Sequence, residues 1–228
     1  MGTEPLPSEQ ELDRCECSDT GTEGCKLKDV NANPRGFFEK LARRYSTPRA
    51  VQRFLRNLDY NRESQGETQR SAFSALQARQ AHCMEAALIA AAILEHRGYE
   101  PQVLSMESKD DLDHVVFVFQ ERGLWGTVGR SRDEGLHGRA PRFKTVRALV
   151  DSYFDPYVDK TGRITGFAIA RLEEAGVDWR FSRRNLWKLE QYLIDFPHRT
   201  FAGSDARYGK LHRAYLSGSR IETGPGWW

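Results

Sequence analysis

Long apolar runs are missing from this chain of 228 residues: none approaches the eighteen or so that would span a bilayer, so no membrane partner is expected. An excess of charge is missing as well. The formal net charge is +2, from 34 Lys and Arg against 32 Asp and Glu, too small to imply nucleic acid. No zinc-finger spacing, P-loop or dinucleotide-binding glycine pattern occurs, and no cofactor is expected. Cysteine is scarce, with four in all and three of them in the first 25 residues. The first seven residues have neither a basic n-region nor an apolar h-region, and Leu6 stands where a myristoylation signal wants Ser or Thr. The expectation is a cytoplasmic chain with reduced thiols rather than a disulfide framework.

Large apolar side chains are sparse in residues 1–33, which are rich in Glu, Asp, Ser, Thr, Gly and Pro. Such a segment buries too little to offset the entropy of ordering, and reads as a disordered or loosely tethered tail ahead of a single domain over 34–228. Cys15, Cys17 and Cys25 fall in that tail and could supply only part of a metal site, so no metal is expected. Lysine is scarce too, with 8 against 26 arginines. The cluster of Arg130, Arg132, Arg139, Arg142, Lys144 and Arg147 is broken by Asp133 and Glu134, and reads as a solvated face.

From Pro34 the pattern changes. Phe37, Phe38, Leu41 and Tyr45 recur at helical spacing; Thr47-Pro48 caps a second helix through Asn57; a third is expected from Ser71 to Ala78. The stretch from Cys83 to the Gly98 stop is an almost wholly apolar helix, which predicts central burial. Strands are expected at Pro101–Met106, His114–Gln120 and Leu124–Val128, the last two joined by a Gly-containing turn. A helix around Val146–Tyr153, a strand at Ile164–Ala170 and a last helix from Phe181 to Phe196 complete the reading. Helices followed by an antiparallel sheet make the fold class α+β, with extra helices at both ends.

Ala81-His82-Cys83-Met84-Glu85-Ala86 and, 31 residues after the cysteine, Asp113-His114-Val115-Val116-Phe117 carry the chemistry. A cysteine in the first turn of a helix meets unpaired N–H groups and a dipole that favour its thiolate. A histidine opening a nearby strand can take its proton, the pairing that attacks amide and ester carbonyls. Glu85, in the same first turn, reads as a charge complementing the dipole.

With Trp125-Gly126-Thr127-Val128-Gly129, these segments resemble the transglutaminase-like core of the papain-like cysteine enzyme superfamily. More narrowly, they resemble an uncharacterised bacterial and plant group of such proteins, a likeness that extends to Asp151-Ser152-Tyr153-Phe154 and to the run from Asp178 to Lys188. The resemblance implies a Cys-bearing buried helix packed on an antiparallel sheet, with Cys83 as nucleophile and His114 as base. It also implies an acid four residues after the Trp, where this chain has Gly129. Ser131 and Asp133 are the expected replacements, ahead of Asp113. Gln77 and Gln80 are candidate oxyanion donors, and His82 and Trp125 candidate substrate-side residues.

The function expected is cysteine-dependent acyl transfer, or amide or ester hydrolysis, on a peptide, protein or small substrate. The alternative is a catalytically silent domain of the same fold that binds a peptide or partner. Metal chemistry on Cys83, His82 and His114 would need ligands that the spacing does not provide. His137 and His198 have no partner recognisable in the sequence.

Overall fold

The computed structural model describes residues 34–219. The expected tail, with Cys15, Cys17 and Cys25, lies outside the described residues. Helix α1 (Pro34–Arg44) and α2 (Pro48–Arg56) begin on prolines whose fixed φ suits a first turn, and the Thr47 side chain caps α2 by accepting from the Ala50 amide at 3.2 Å. A two-residue strand β1 (Asp59–Tyr60) leads to α3 (Ala72–Ala78), which ends on Arg79 in the left-handed region, φ 55°. Strand β2 (Gln80–Ala81) pairs in parallel with β1, and α4 (Cys83–Leu94) follows at once. That pairing sets Tyr60 level with Ala81, two residues from the cysteine.

Every residue of α4 from Met84 to Leu94 is buried, as its composition predicts. One 3-10 turn (Glu95–Arg97) ends it, with Gly98 at φ 83°, a conformation that a side chain would strain. Strands β3 (Gln102–Ser108), β4 (His114–Glu121), β5 (Leu124–Val128), β6 (Ile164–Arg171) and β7 (Arg199–Thr200) form one antiparallel sheet in the order β5-β4-β3-β6-β7. Helix α5 (Val146–Tyr157) lies between β5 and β6 in sequence, and α6 (Trp187–Asp195) and α7 (Asp205–Leu216) come last. The described residues are α+β, and no helix among them is long and apolar enough to cross a membrane.

The sheet is covered on both faces, which is why the first six residues of β4 are all buried instead of alternating. Leu104, Met106, Val116 and Val118 point to one face and pack with Leu149, Val150, Tyr153 and Phe154 of α5 and Leu211 of α7. Alternation leaves Val103, Phe117 and Phe119 for the other face, where α4 lies on β4 and is itself backed by α1, α2 and α3.

Three expectations change. The last helix of the sequence reading spans Trp187–Asp195, not Phe181–Phe196. Residues 178–186 form turns instead: the Asp178 side chain accepts from the amides of Arg180 and Phe181, and the Phe181 ring packs edge-on against Phe38 at 5.8 Å. Helix α7 and strands β1, β2 and β7 were not expected. The supposed solvated arginine face contains Arg139, which is 1% exposed.

Candidate active site

Residue Cys83 is the first of α4, preceded by His82 in extended conformation, φ −85° and ψ −173°. Its own N–H has no intrahelical acceptor by position, and the helix places a partial positive charge at its sulfur. Glu85, fully buried, accepts from the His82 amide at 3.1 Å, from Asn61 Nδ2 at 3.1 Å and from the Arg70 amide at 3.1 Å. The Thr68 hydroxyl adds a bond at 3.3 Å. Glu85 therefore does more than complement the dipole: it ties the β1–α3 connection to the helix that carries Cys83.

Both neighbouring imidazoles, His82 and His114, act on the Cys83 thiol and favour its ionised form. The His82 Nε2 lies 2.9 Å from the Thr68 carbonyl, and the His114 Nε2 lies 2.8 Å from the Leu136 carbonyl. A carbonyl only accepts, so Nε2 carries hydrogen in each ring. Burial opposes ionisation of Cys83, but the hydrogen bonds and charges of His114 and His82 outweigh it and bring its pKa down to about 5. Burial likewise opposes the charged form of His82; its bond to Cys83 and the nearby Glu85 carboxylate, 3.7 Å away, raise it to about 9. Between those values the resting pair is a thiolate beside an imidazolium.

The group that orients His114 is a backbone carbonyl, not Ser131 or Asp133. The reason is visible at Gly129, whose amide and carbonyl are both bonded to the Gln52 side chain, each at 2.9 Å. A Cβ there would lie 2.5 Å from Val116 Cγ1, so no acid fits at that position. The chain then turns through a 3-10 turn (Glu134–Leu136) that brings the Leu136 carbonyl to the ring. Ser131 is buried on the cleft wall, and its hydroxyl accepts from the Asp133 amide at 3.4 Å. Asp113 accepts from the Ser108 amide at 2.9 Å.

Arg139 holds that turn. Its guanidinium donates to the Gly135 carbonyl at 2.7 Å and the His137 carbonyl at 2.6 Å, the two residues flanking Leu136, and lies 4.0 Å from the centre of the Tyr153 ring. Its Nε reaches Ser152 Oγ at 3.2 Å. Arg139→Lys, which cannot span both carbonyls, is expected to slow acylation of Cys83 about 10- to 100-fold by letting His114 drift. The check is the ring nitrogen spectrum of His114: loss of a single Nε2–H tautomer should accompany the slower rate.

One cleft of about 750 Å³ contains Cys83, His82, His114 and Ser131 in its wall. Gln77, Gln80, Trp125 and Asp133 are not among the residues that line it. Gln80 is in β2, and Trp125 exchanges backbone bonds with Phe143 and packs on the α5 side of the sheet. Tyr60 and Tyr157, which the sequence reading missed, do line the cleft. Burial, and then the Cys83 thiolate, push Tyr60 up to about 12, so its hydroxyl stays protonated at neutrality. Tyr157 donates to the Leu112 carbonyl. The two histidines without expected partners have them: His137 Nε2 is 3.0 Å from the Ser131 carbonyl, and His198 lies between Ser105 Oγ at 3.1 Å and Glu107 at 3.2 Å.

Among the described residues no three His, Cys, Asp or Glu side chains are grouped as a metal ion would need. The arrangement can supply a nucleophilic sulfur, a proton carrier and, in the Cys83 N–H, a donor for a developing oxyanion. Compared with known proteins, the chain matches no family model and no curated sequence.

Proposed function

We propose that this protein is a cysteine acyl-transfer enzyme of the transglutaminase-like type, acting on an amide or ester carbonyl through a Cys83 thioester. The observation that carries the reading is the position of the sulfur, at a helix N-terminus between two imidazoles whose outer nitrogens are fixed by carbonyls. In this scheme the Cys83 thiolate attacks the carbonyl carbon, forming the C–S bond while the π electrons move to oxygen. The oxyanion is stabilised by the Cys83 N–H and the helix dipole. The proton displaced from sulfur resides on the imidazole pair. It passes to the leaving nitrogen or oxygen as that bond breaks, and the proton of the attacking water or amine takes its place through His114. Hydrolysis or aminolysis of the thioester then restores the thiolate.

A carbonyl can replace the missing acid because the third group mainly fixes the tautomer and direction of the ring, and a carbonyl does both. The competing reading is a silent domain that binds a peptide in the same cleft, favoured by the lack of a carboxylate on His114. Rapid mixing with p-nitrophenyl acetate separates them. The enzyme reading expects a burst of one leaving group per chain and an acetyl group mapped to Cys83, both absent in Cys83→Ala. A folded protein giving neither would leave the silent domain.

A further inference from the structure

We infer that the cleft beside Cys83 takes a basic polypeptide segment with an apolar side chain, an inference that rests on the acyl-transfer reading and specifies its substrate. Leu112, Trp187, Ile194 and Leu216 are the exposed large hydrophobics among the described residues. Leu112, 61% exposed on the loop ahead of β4, and Ile194, 56% exposed on α6, both line the cleft that holds the sulfur. A single exposed leucine is ordinary. Two large apolar side chains, brought from separate elements to the cleft of a nucleophile, form a seat for a side chain of the substrate.

The charge around that seat is mostly negative. Glu67, Asp110, Asp111, Asp113, Asp159 and Glu190 line the cleft, against Arg62 and Arg132. Among the described residues none of the six carboxylates is paired with a lysine or arginine. Hydrogen bonds fix some of them in place without neutralising them: Asp110 accepts from Thr161 at 2.7 Å, and Asp159 from the Gly162 amide at 2.7 Å. Gln69, also in the wall, has its Nε2 held by Glu190 at 2.5 Å, which leaves its Oε1 buried without a donor. An acceptor that lacks a donor suits a segment rich in N–H groups. A concave, low-dielectric wall concentrates this negative field and raises the encounter rate of cationic segments while opposing acidic ones.

The test uses the full chain and three iodoacetyl peptides, identical in length and in a central leucine, flanked by lysine, serine or glutamate. Second-order rates of alkylation at Cys83 are divided by the rate of free iodoacetamide on the same variant, so that changes in the thiol itself cancel. The lysine peptide should react about 10-fold or more faster than the glutamate peptide at low salt. The gap should close at about 0.5 M salt, and it should shrink or invert in Glu67→Lys/Asp111→Lys. Leu112→Ser should slow all three peptides relative to iodoacetamide. Equal rates for the three peptides, or a faster acidic peptide, with Cys83 still alkylated by iodoacetamide, would overturn the inference and leave the acyl-transfer reading standing. If Cys83 resists iodoacetamide and every peptide, both fall.

Discussion

Replacing His114 with alanine should slow acyl transfer to Cys83 about 100- to 10,000-fold, the range that a positioned general base contributes. The ring is 3% exposed, sits 6.0 Å from Tyr153 in an edge-to-face contact, and anchors the Leu136 turn, so alanine alone would mix catalysis with packing. His114→Gln separates the two. It keeps a side-chain N–H for the Leu136 carbonyl but cannot carry a proton, so it should lose as much activity as alanine while unfolding near the wild-type temperature. If glutamine restored the rate, His114 would be a spacer and not the base.

His82→Gln should act through the sulfur's ionisation. The substitution removes the imidazolium beside Cys83, and a charge-assisted hydrogen bond of about 1.5–3 kcal/mol corresponds to about one or two pKa units. At pH values below the wild-type Cys83 pKa of about 5, alkylation should therefore fall about 10- to 100-fold. The two rates should converge as pH rises, because both thiols are then ionised. The same pair sets a pH dependence of stability. The Cys83 pKa is depressed on folding, so its contribution is lost as pH falls through about 5. The His82 pKa is raised, so its contribution is lost as pH rises through about 9. The Cys83 contribution is complete only above its ordinary value near 9 and the His82 contribution only below its ordinary 6.5. The two therefore offset each other between 6.5 and 9, and stability should fall as pH drops from about 6.5 to 5.

Cys83, its helix and the strand of His114 could be found in the sequence because each follows from local rules. The apolar run after Cys83 has one way to be satisfied, burial on all sides, and α4 is buried from Met84 onward. His114-Val115-Val116-Phe117 is a strand wherever it is placed, and it became β4, though its middle position in the sheet depends on pairings with β3 and β5 that no single segment encodes. The third group escaped because it is the carbonyl of Leu136, and a backbone oxygen has no letter in the sequence.

Long-range contacts hid the rest. Arg139 among its neighbours resembles a surface charge, and only the folded turn shows it clamping carbonyls on both sides of Leu136. Tyr60 reaches the cleft through a parallel pairing of two residues, too short for any periodicity. Helix α7 has a capping serine at Ser204, which accepts from the Arg207 amide at 3.2 Å, but its one buried residue, Leu211, gives no apolar stripe. The turn at 178–186 is set by Asp178 and by Phe181 packing on α1, interactions that a helical pattern in the sequence cannot reveal.

The most direct test of the account is the rate of iodoacetamide alkylation at Cys83 as a function of pH, read by peptide mass mapping on the folded chain. A thiolate held by two imidazoles predicts a rate that rises through about pH 5 and is flat across neutrality. A rate that instead climbed about tenfold per pH unit up to the ordinary thiol range near 9 would show that neither histidine ionises the sulfur, and would contradict the account.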